Sequence, residues 1–260
     1  MAESVTHVPQ IARGRLASAD VADSDARDDD DAERRPPVTP LDALGVIARQ
    51  DVELRPGLRH HEVYTWKGLM TLFWHEPVDV APIGAALVMC GGAMGGLIGP
   101  GHGLFHRLGV AWAERGVPVI RVSYRRPNDM DACCLDVAAA VQLAVGTGAE
   151  RVVVMGHSFG GAVAVRVAVA LDSYVAGVVT FATQSAGCEV AAGLQGRPLL
   201  LFHGDRDEIL PAESSEMVRA IAGTGELIVI PGDGHLLAKS DDVMWEHIEA
   251  WLPPVLGPSA

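Results

Sequence analysis

The stretch Arg151-Val152-Val153-Val154-Met155-Gly156-His157-Ser158-Phe159-Gly160-Gly161 decides the fold. Its first five residues form a short run rich in valine, which is typical of a buried strand, and an Ala- and Val-rich segment of helical length follows. Between the two, a serine has glycine two positions before it and two positions after it. Glycine is favoured there because a very tight turn leaves no room for neighbouring side chains. The stretch predicts a strand, a sharp turn and a helix, with Ser158 at the turn as a candidate nucleophile.

The same alternation of strand and helix extends in both directions along the chain. Short apolar runs predict six buried strands, at residues 85–90, 117–124, 151–155, 175–182, 198–203 and 227–230. Segments of helical length and composition lie between or after them, at residues 103–115, 130–145, 159–171, 212–222 and 241–251. Before the first of these strands, residues 63–66 and 69–74 flank Lys67-Gly68 and predict a hairpin.

A strand that is followed by a helix can return the chain to a parallel neighbouring strand. The repeated pattern therefore predicts an α/β fold with a mostly parallel central sheet, helices on both faces and an antiparallel hairpin at the leading edge. In such sheets, ligands bind at the carboxyl ends of the strands. That edge is where we expect the chemistry.

The amino-terminal segment has a different composition. Residues 1–40 are polar and acidic, with an unbroken run from Asp28 to Asp31 followed by two arginines and two prolines. Such a segment cannot bury enough apolar surface to offset the entropy lost on ordering. We therefore predict a disordered acidic tail over residues 1–40 and a single domain over residues 41–260.

Composition excludes several classes of function. The formal net charge is −13, and no basic stripe is present, so a nucleic-acid partner is not expected. No run of apolar residues is long enough for a membrane span or a signal peptide, and the four cysteines lack the spacing of a disulfide framework or of a metal site. The expectation is a soluble cytoplasmic protein, with the oligomeric state left open.

Cofactor and metal motifs are weak. The segment from Gly92 to Gly103 is rich in glycine but lacks the ending of a phosphate loop and the spacing of a dinucleotide site. His102 and His106 have the i, i+4 spacing of a helical zinc site, but Gly103 stands where a metalloprotease would carry glutamate. We predict no cofactor and no metal.

Two arginines, Arg125 and Arg126, follow the strand at residues 117–124 and would lie beside the cleft. Either could bind an anionic substrate, although a surface position or the bracing of a loop is favoured.

A serine hydroxyl needs a base within hydrogen-bonding reach, and that base needs an orienting carboxylate. His235 lies on a glycine-bounded loop directly after the last predicted strand, where a base would be expected. His203 also ends a strand, but it leads into Gly204-Asp205-Arg206-Asp207 and has the position of an approach to the acid. His157 adjoins the serine and is expected to point away from it.

These motifs occur in the order serine, acid, histidine, and over about residues 60–253 the chain resembles the α/β-hydrolase superfamily. The resemblance implies Asp207 as the acid, because the family usually carries it at the end of an H-G-x-x-D segment before an apolar residue and proline. Asp205 is the alternative. The resemblance thus implies a catalytic triad of Ser158, Asp207 and His235.

The resemblance also implies an oxyanion hole. In the family, the loop after the first central strand supplies one amide donor, and the residue after the serine supplies the other. Here these would be Gly92 or Ala93 and Phe159. Cys90 stands where histidine is commoner, and we interpret it as a small buried thiol.

The implied activity is that of a compact esterase or dienelactone-hydrolase-like member. The connection from Thr183 to Arg197 is too short for a cap domain, which predicts an open cleft and small or flexible carboxylic esters as substrates. Three alternatives remain open: a thioesterase or acyltransferase acting on a carrier-bound acyl group, a peptidase or amidase, and a binding protein without turnover.

Overall fold

Nine strands form one sheet in this protein, whose computed structural model describes residues 38–257. The strands are β1 (Val46–Arg55), β2 (Leu58–Thr65), β3 (Gly68–His75), β4 (Ala85–Cys90), β5 (Val119–Ser123), β6 (Arg151–His157), β7 (Val175–Phe181), β8 (Leu199–Gly204) and β9 (Glu226–Ile230). Their order across the sheet is β1-β2-β3-β5-β4-β6-β7-β8-β9. The leading strands pair antiparallel as far as the β3–β5 contact, and the remaining strands pair parallel. The predicted fold class is confirmed.

Six α-helices connect or follow the strands. They are α1 (Pro40–Ala43), α2 (Leu104–Ala113), α3 (Met130–Gly146), α4 (Phe159–Ala170), α5 (Glu213–Ala222) and α6 (Asp241–Leu256). Helices α3, α4 and α5 bury apolar side chains in the core on one face of the sheet, and α2 and α6 do so on the other. The only helical turn between β7 and β8 is a short 3-10 turn, Ala191–Leu194, so this connection carries no large cap.

Strand β1 was not predicted from the sequence. Nine of its ten residues are exposed, so it has no buried face to give an alternating apolar pattern. Helix α6 also continues beyond the predicted end at residue 251 and includes Pro253 and Pro254. Proline normally ends a helix, but here Val255 and Leu256 are buried in the core and hold the last turn in place.

Most of the predicted acidic tail lies outside the described residues. Its last three positions begin the folded unit: Thr39 accepts a hydrogen bond from the Asp42 amide, which caps the short helix that begins at Pro40. Among the helices of the described residues, none combines the length and the apolar character that crossing a bilayer requires.

Candidate active site

Ser158 is the single residue between strand β6 and helix α4. Its φ is 56° and its ψ is −120°. Residues other than glycine rarely adopt this backbone conformation, which costs on the order of 1–3 kcal/mol. The surrounding backbone holds it there: the Ser158 amide donates to the Phe181 carbonyl at 2.8 Å, and the Ser158 carbonyl accepts from the Gly161 amide at 2.9 Å. The predicted sharp turn is therefore present.

Two glycines make this turn possible. A Cβ atom on Gly156 would overlap the carbonyl of Gly160, and a Cβ atom on Gly160 would overlap the carbonyl of Gly91. The first contact closes the turn around Ser158, and the second lets helix α4 pack directly on the loop that follows β4. The chain thus places the serine within reach of that loop.

The loop after β4 lies next to Ser158. A Cβ atom on Gly92 would be 3.5 Å from the Ser158 Cβ atom. The Tyr124 hydroxyl donates to the Gly91 carbonyl at 2.9 Å, and Gly95 donates its amide to the Gly92 carbonyl at 2.9 Å, so the loop is held at both ends of this turn. Phe159 begins helix α4, and its amide therefore has no partner within the helix. These positions suit the predicted amide donors.

Cys90 precedes this loop and is buried. Its Sγ atom lies 3.5 Å from the carbonyls of Met155 and Gly160, and burial raises its pKa to about 12. The thiol is therefore uncharged and packs between the β4 loop and the serine turn.

His235 and Asp207 are joined by a hydrogen bond. The distance between His235 Nδ1 and Asp207 Oδ2 is 2.7 Å. Because the carboxylate oxygen accepts, Nδ1 carries a proton, and Nε2 is the nitrogen with the lone pair in the neutral ring. Burial opposes ionisation of Asp207, but the amides of Leu210 and Ile209 and the His235 ring donate to it, and its pKa lies below the ordinary value. The lowered pKa keeps Asp207 ionised beside His235 near pH 7.

The alternative acid has a different partner. Asp205 Oδ1 accepts a hydrogen bond from the Gly232 amide at 2.6 Å and so fixes the start of the loop that carries His235. Of the two carboxylates, it is Asp207 that the structure brings to the imidazole.

Ser158 and His235 line the same cavity, which has a volume of about 490 Å³ and is open to solvent. Its walls come from the loops after β4, β6, β8 and β9, all at the carboxyl edge of the sheet. The volume lies within the range of small-molecule sites. The structure therefore gathers the predicted serine, histidine and acid at one open site, and their catalytic roles stay a prediction.

His203 makes a contact that the sequence did not indicate. Its Nε2 atom lies 3.1 Å from Asp207 Oδ2 and 3.0 Å from the Leu210 carbonyl, and both oxygens are acceptors, so Nε2 carries a proton. Its other ring nitrogen, Nδ1, is 2.7 Å from the Ser215 hydroxyl. The fully buried His203 ring thus packs against Asp207 and limits the movement of its carboxylate.

His157 also lies at the cavity. Its Nε2 atom is 3.0 Å from the His235 carbonyl, to which it must donate, and the two ring centroids are 5.0 Å apart. Burial lowers the His157 pKa to about 4, so the ring is neutral near pH 7. The His157 side chain, which was expected to point away from Ser158, supports the backbone of the candidate base.

The two arginines suggested as anion-binding residues do not line the cavity. Arg125 is buried, and its Nε atom is 2.5 Å from Asp136 Oδ1. Arg126 is exposed and pairs with Asp129 at 3.2 Å. Both take the bracing or surface role that the sequence favoured.

The paired histidines of the weak zinc motif contact different residues. His102 Nδ1 lies 2.7 Å from Asp241 Oδ2, whereas the His106 ring packs against His75 with 5.3 Å between centroids.

Part of the chain matches a known protein family. The model of the dienelactone hydrolase family matches residues 123–246, a segment that contains Ser158, Asp207 and His235. The chain has the α/β-hydrolase fold, and residues 123–246 are similar to the dienelactone hydrolase family. No curated protein matches it.

Solved structures share the fold of this α/β-hydrolase at low sequence identity. Est1E from Butyrivibrio proteoclasticus is 16% identical with a TM-score of 0.61, and the match covers 76% of this chain and 98% of that one. An α/β serine hydrolase without a lid from Xanthomonas campestris is 17% identical with a TM-score of 0.59, covering 78% and 98%. A dienelactone hydrolase from Anabaena variabilis is 14% identical with a TM-score of 0.60, covering 78% and 97%. These structures show the shared fold, and the family match supports a hydrolase that acts on ester-type substrates.

Proposed function

We propose that this α/β-hydrolase is a serine esterase that cleaves a small or flexible carboxylic ester through an acyl-enzyme intermediate. One observation carries the proposal: Ser158, on its strained turn, lines the same cavity as His235, whose Nδ1 atom is hydrogen bonded to Asp207. A nucleophile, a base and an orienting acid are the parts that such catalysis needs.

In the first half of the reaction, the Ser158 hydroxyl attacks the ester carbonyl carbon while His235 Nε2 takes its proton. Asp207 holds the Nδ1 proton and stabilises the imidazolium that forms. The carbonyl oxygen gains a negative charge, which the amides of Phe159 and of Gly92 or Ala93 stabilise. Loss of one such donor typically lowers the rate by about 10²- to 10³-fold.

The tetrahedral intermediate then collapses to the acyl-enzyme: the carbon–oxygen bond to the alcohol breaks, and His235 gives its proton to the leaving oxygen. A water molecule then attacks the acyl-enzyme while His235 takes its proton. The new tetrahedral intermediate collapses, the proton returns to Ser158 and the carboxylic acid leaves. The net reaction consumes one ester and one water and produces one alcohol and one acid.

The open cavity supports small or flexible esters as the proposed substrates. The β7–β8 connection contributes no large cap, and the cavity opens directly to solvent. An ester can therefore enter without the opening of a cap domain, and the part of a substrate distant from the scissile bond can remain in water.

Labelling and turnover test the proposal together. A fluorophosphonate should modify Ser158, as shown by peptide mass spectrometry, and the protein should hydrolyse short p-nitrophenyl esters. Ser158→Ala should abolish both, and Ser185→Ala, which removes a loop hydroxyl outside the cavity lining, should leave both intact. Equal ester turnover by the wild type and Ser158→Ala would overturn the proposal, and faster cleavage of matched thioesters or anilides would replace the ester with one of the alternative substrates.

A further inference from the structure

Exposed apolar side chains are concentrated at the rim of the active-site cavity. In the described part of the chain, six large apolar residues have an exposed fraction of 60% or more, and four of these line the cavity. The four are Met94 (94%), Ile98 (65%), Ile209 (64%) and Leu236 (60%), which we call the apolar collar. Single exposed apolar residues are ordinary on protein surfaces, but a cluster around a pocket marks a site of contact.

The collar comes from three loops, and each loop also carries a residue of the proposed catalytic machinery. Met94 and Ile98 follow Gly92, Ile209 follows Asp207, and Leu236 follows His235. An apolar group held by the collar would therefore lie next to the scissile bond.

The loops that bear the collar are fixed by hydrogen bonds. The Ile209 amide donates to Asp207 Oδ1 at 2.8 Å, and the Leu236 carbonyl accepts from the Gly101 amide at 2.7 Å. The second bond ties the loop after β9 to the loop after β4. The collar is thus held in place before any substrate arrives, which reduces the entropy lost on binding.

The cavity walls carry no formal charge of their own, since none of the lining residues is aspartate, glutamate, lysine or arginine. Two carboxylates lie close by, and Arg121 is buried, with its Nη1 atom donating to the Leu97 carbonyl at 3.1 Å. Asp207 lies behind His235, and Glu208 packs against Gly234, where a Cβ atom would come within 2.7 Å of Glu208 Oε2. A carboxylate on the substrate would meet no lysine or arginine in the cavity walls and would be repelled by the two carboxylates.

We propose that the apolar collar selects uncharged esters with an apolar chain of several carbons and discriminates against esters that carry a carboxylate near the scissile bond. This inference rests on the proposed esterase function and adds the substrate class. Contact with the collar is made in the transition state as well as in the bound substrate, so it raises kcat/KM. The gain ends once the chain extends past the rim into water.

Acyl-chain length provides the first test. For wild-type protein, kcat/KM on p-nitrophenyl esters should rise from acetyl to hexanoyl by about two- to fourfold per methylene. The readout for each variant is its ratio of hexanoyl to acetyl kcat/KM, which is independent of any overall loss of rate. Ile98→Ser and Ile209→Ser should each lower that ratio by about threefold or more.

Trp66→Ser is the matched control for chain length. Trp66 is also a highly exposed apolar residue, but it lies in the β2–β3 turn and does not line the cavity. Its ratio should equal that of the wild type. An equal ratio in the collar variants, or a wild-type ratio of one or less, would overturn the inference.

Charge provides the second test. The wild type should cleave dimethyl succinate with a kcat/KM about tenfold or more above that for monomethyl succinate, after correction for its two ester groups. Met94→Arg should narrow this difference at least severalfold by supplying a cation at the rim. Preference of the wild type for the monoester would contradict the proposal.

Absence of the esterase function and absence of collar selectivity give different results in these experiments. A protein that takes no fluorophosphonate label and cleaves no ester lacks the proposed function, and the collar inference falls with it. A protein that labels at Ser158 and cleaves the acetyl ester, yet ignores chain length or prefers the anion, retains the function and refutes the collar inference alone.

Discussion

His203 Nε2 lies 3.1 Å from Asp207 Oδ2, the same oxygen that is 2.7 Å from His235 Nδ1. One carboxylate oxygen therefore accepts from His235 and contacts the His203 ring, and the other accepts the amides of Ile209 and Leu210. With three hydrogen-bond donors and the His203 ring in contact, the carboxylate has little freedom to rotate. We infer that His203 is a positioning residue that acts on His235 through Asp207.

Replacement of His203 should lower kcat more than it changes KM. We expect His203→Phe to reduce kcat by about tenfold to a hundredfold, since small displacements of a catalytic group have effects of this size. His203→Gln, which keeps an amide donor, should recover part of the loss. Steady-state kinetics of the two variants with one p-nitrophenyl ester provide the measurement.

Ser215→Ala is the control for this experiment. It removes the partner of His203 Nδ1 but leaves the contact with Asp207, so we expect it to lower the free energy of unfolding by about 1–3 kcal/mol with little effect on kcat. If Ser215→Ala and His203→Phe lower kcat equally, the role of His203 is structural only.

The two candidate acids should respond differently to loss of charge. Asp207→Asn is expected to lower kcat by about 10³- to 10⁴-fold, because an amide can present an NH₂ group to His235 and favour the wrong tautomer. Asp205→Asn retains an oxygen for the Gly232 amide and should stay within about threefold of the wild type. Turnover of a p-nitrophenyl ester by both variants distinguishes the two candidate acids. A larger loss in Asp205→Asn than in Asp207→Asn would identify Asp205 as the acid.

The close approach of helix α4 to the β4 loop should make Gly160 intolerant of a side chain. A Cβ atom there would overlap the Gly91 carbonyl, and backbone atoms cannot move aside cheaply. We expect Gly160→Ala to lower the free energy of unfolding by ~3 kcal/mol or more, as measured by urea denaturation.

Gly146→Ala is the matched control for steric overlap. Gly146 ends helix α3, and a Cβ atom there would have nothing within 4 Å. Its replacement should leave stability unchanged or raise it by about 0.5–1 kcal/mol. Similar destabilisation by both variants would mean that the packing at Gly160 is not the cause.

His157 should make the fold more sensitive to acid. Burial lowers its pKa from 6.5 to about 4, so between these values the unfolded chain holds a proton that the folded chain lacks. Stability must therefore fall as the pH drops through this window, and the loss is complete once the pH is below the folded value. The free energy of unfolding measured at a series of pH values shows the effect.

His157→Gln isolates this contribution. Glutamine can still donate to the His235 carbonyl but does not titrate. Between about pH 7 and about pH 4.5, the variant should lose ~2 kcal/mol less stability than the wild type. Parallel losses in the two proteins would contradict the assignment of this acid sensitivity to His157.

The sequence predicted the parts of the fold that are buried on both sides. Strand β4 was predicted to the residue because all six of its side chains are buried and form an unbroken apolar run. Strand β1 was missed because it has almost no buried face. The end of α6 was missed because local rules predict that a helix stops at Pro253. The helix continues because Val255 and Leu256 are buried in the core, which is a tertiary effect.

The site was predictable where a local rule requires a residue type. The turn at Ser158 requires glycines on both sides, and the spacing of these glycines can be recognised in the sequence. The choice of Asp207 over Asp205 came from family resemblance, since both carboxylates follow the same strand. The contact of His203 with Asp207 and the apolar collar both depend on loops that are distant in sequence and close in the fold. No periodic pattern in the sequence predicts such contacts.

The exposed strand β1 has a consequence for behaviour at high protein concentration. Within the described residues it pairs only with β2, so its outer edge offers free backbone groups to another chain. Arg49, Asp51, Glu53 and Arg55 point charges into water along this edge, and an incoming strand would have to desolvate them. Resistance to aggregation would then depend on a segment that takes no part in the chemistry.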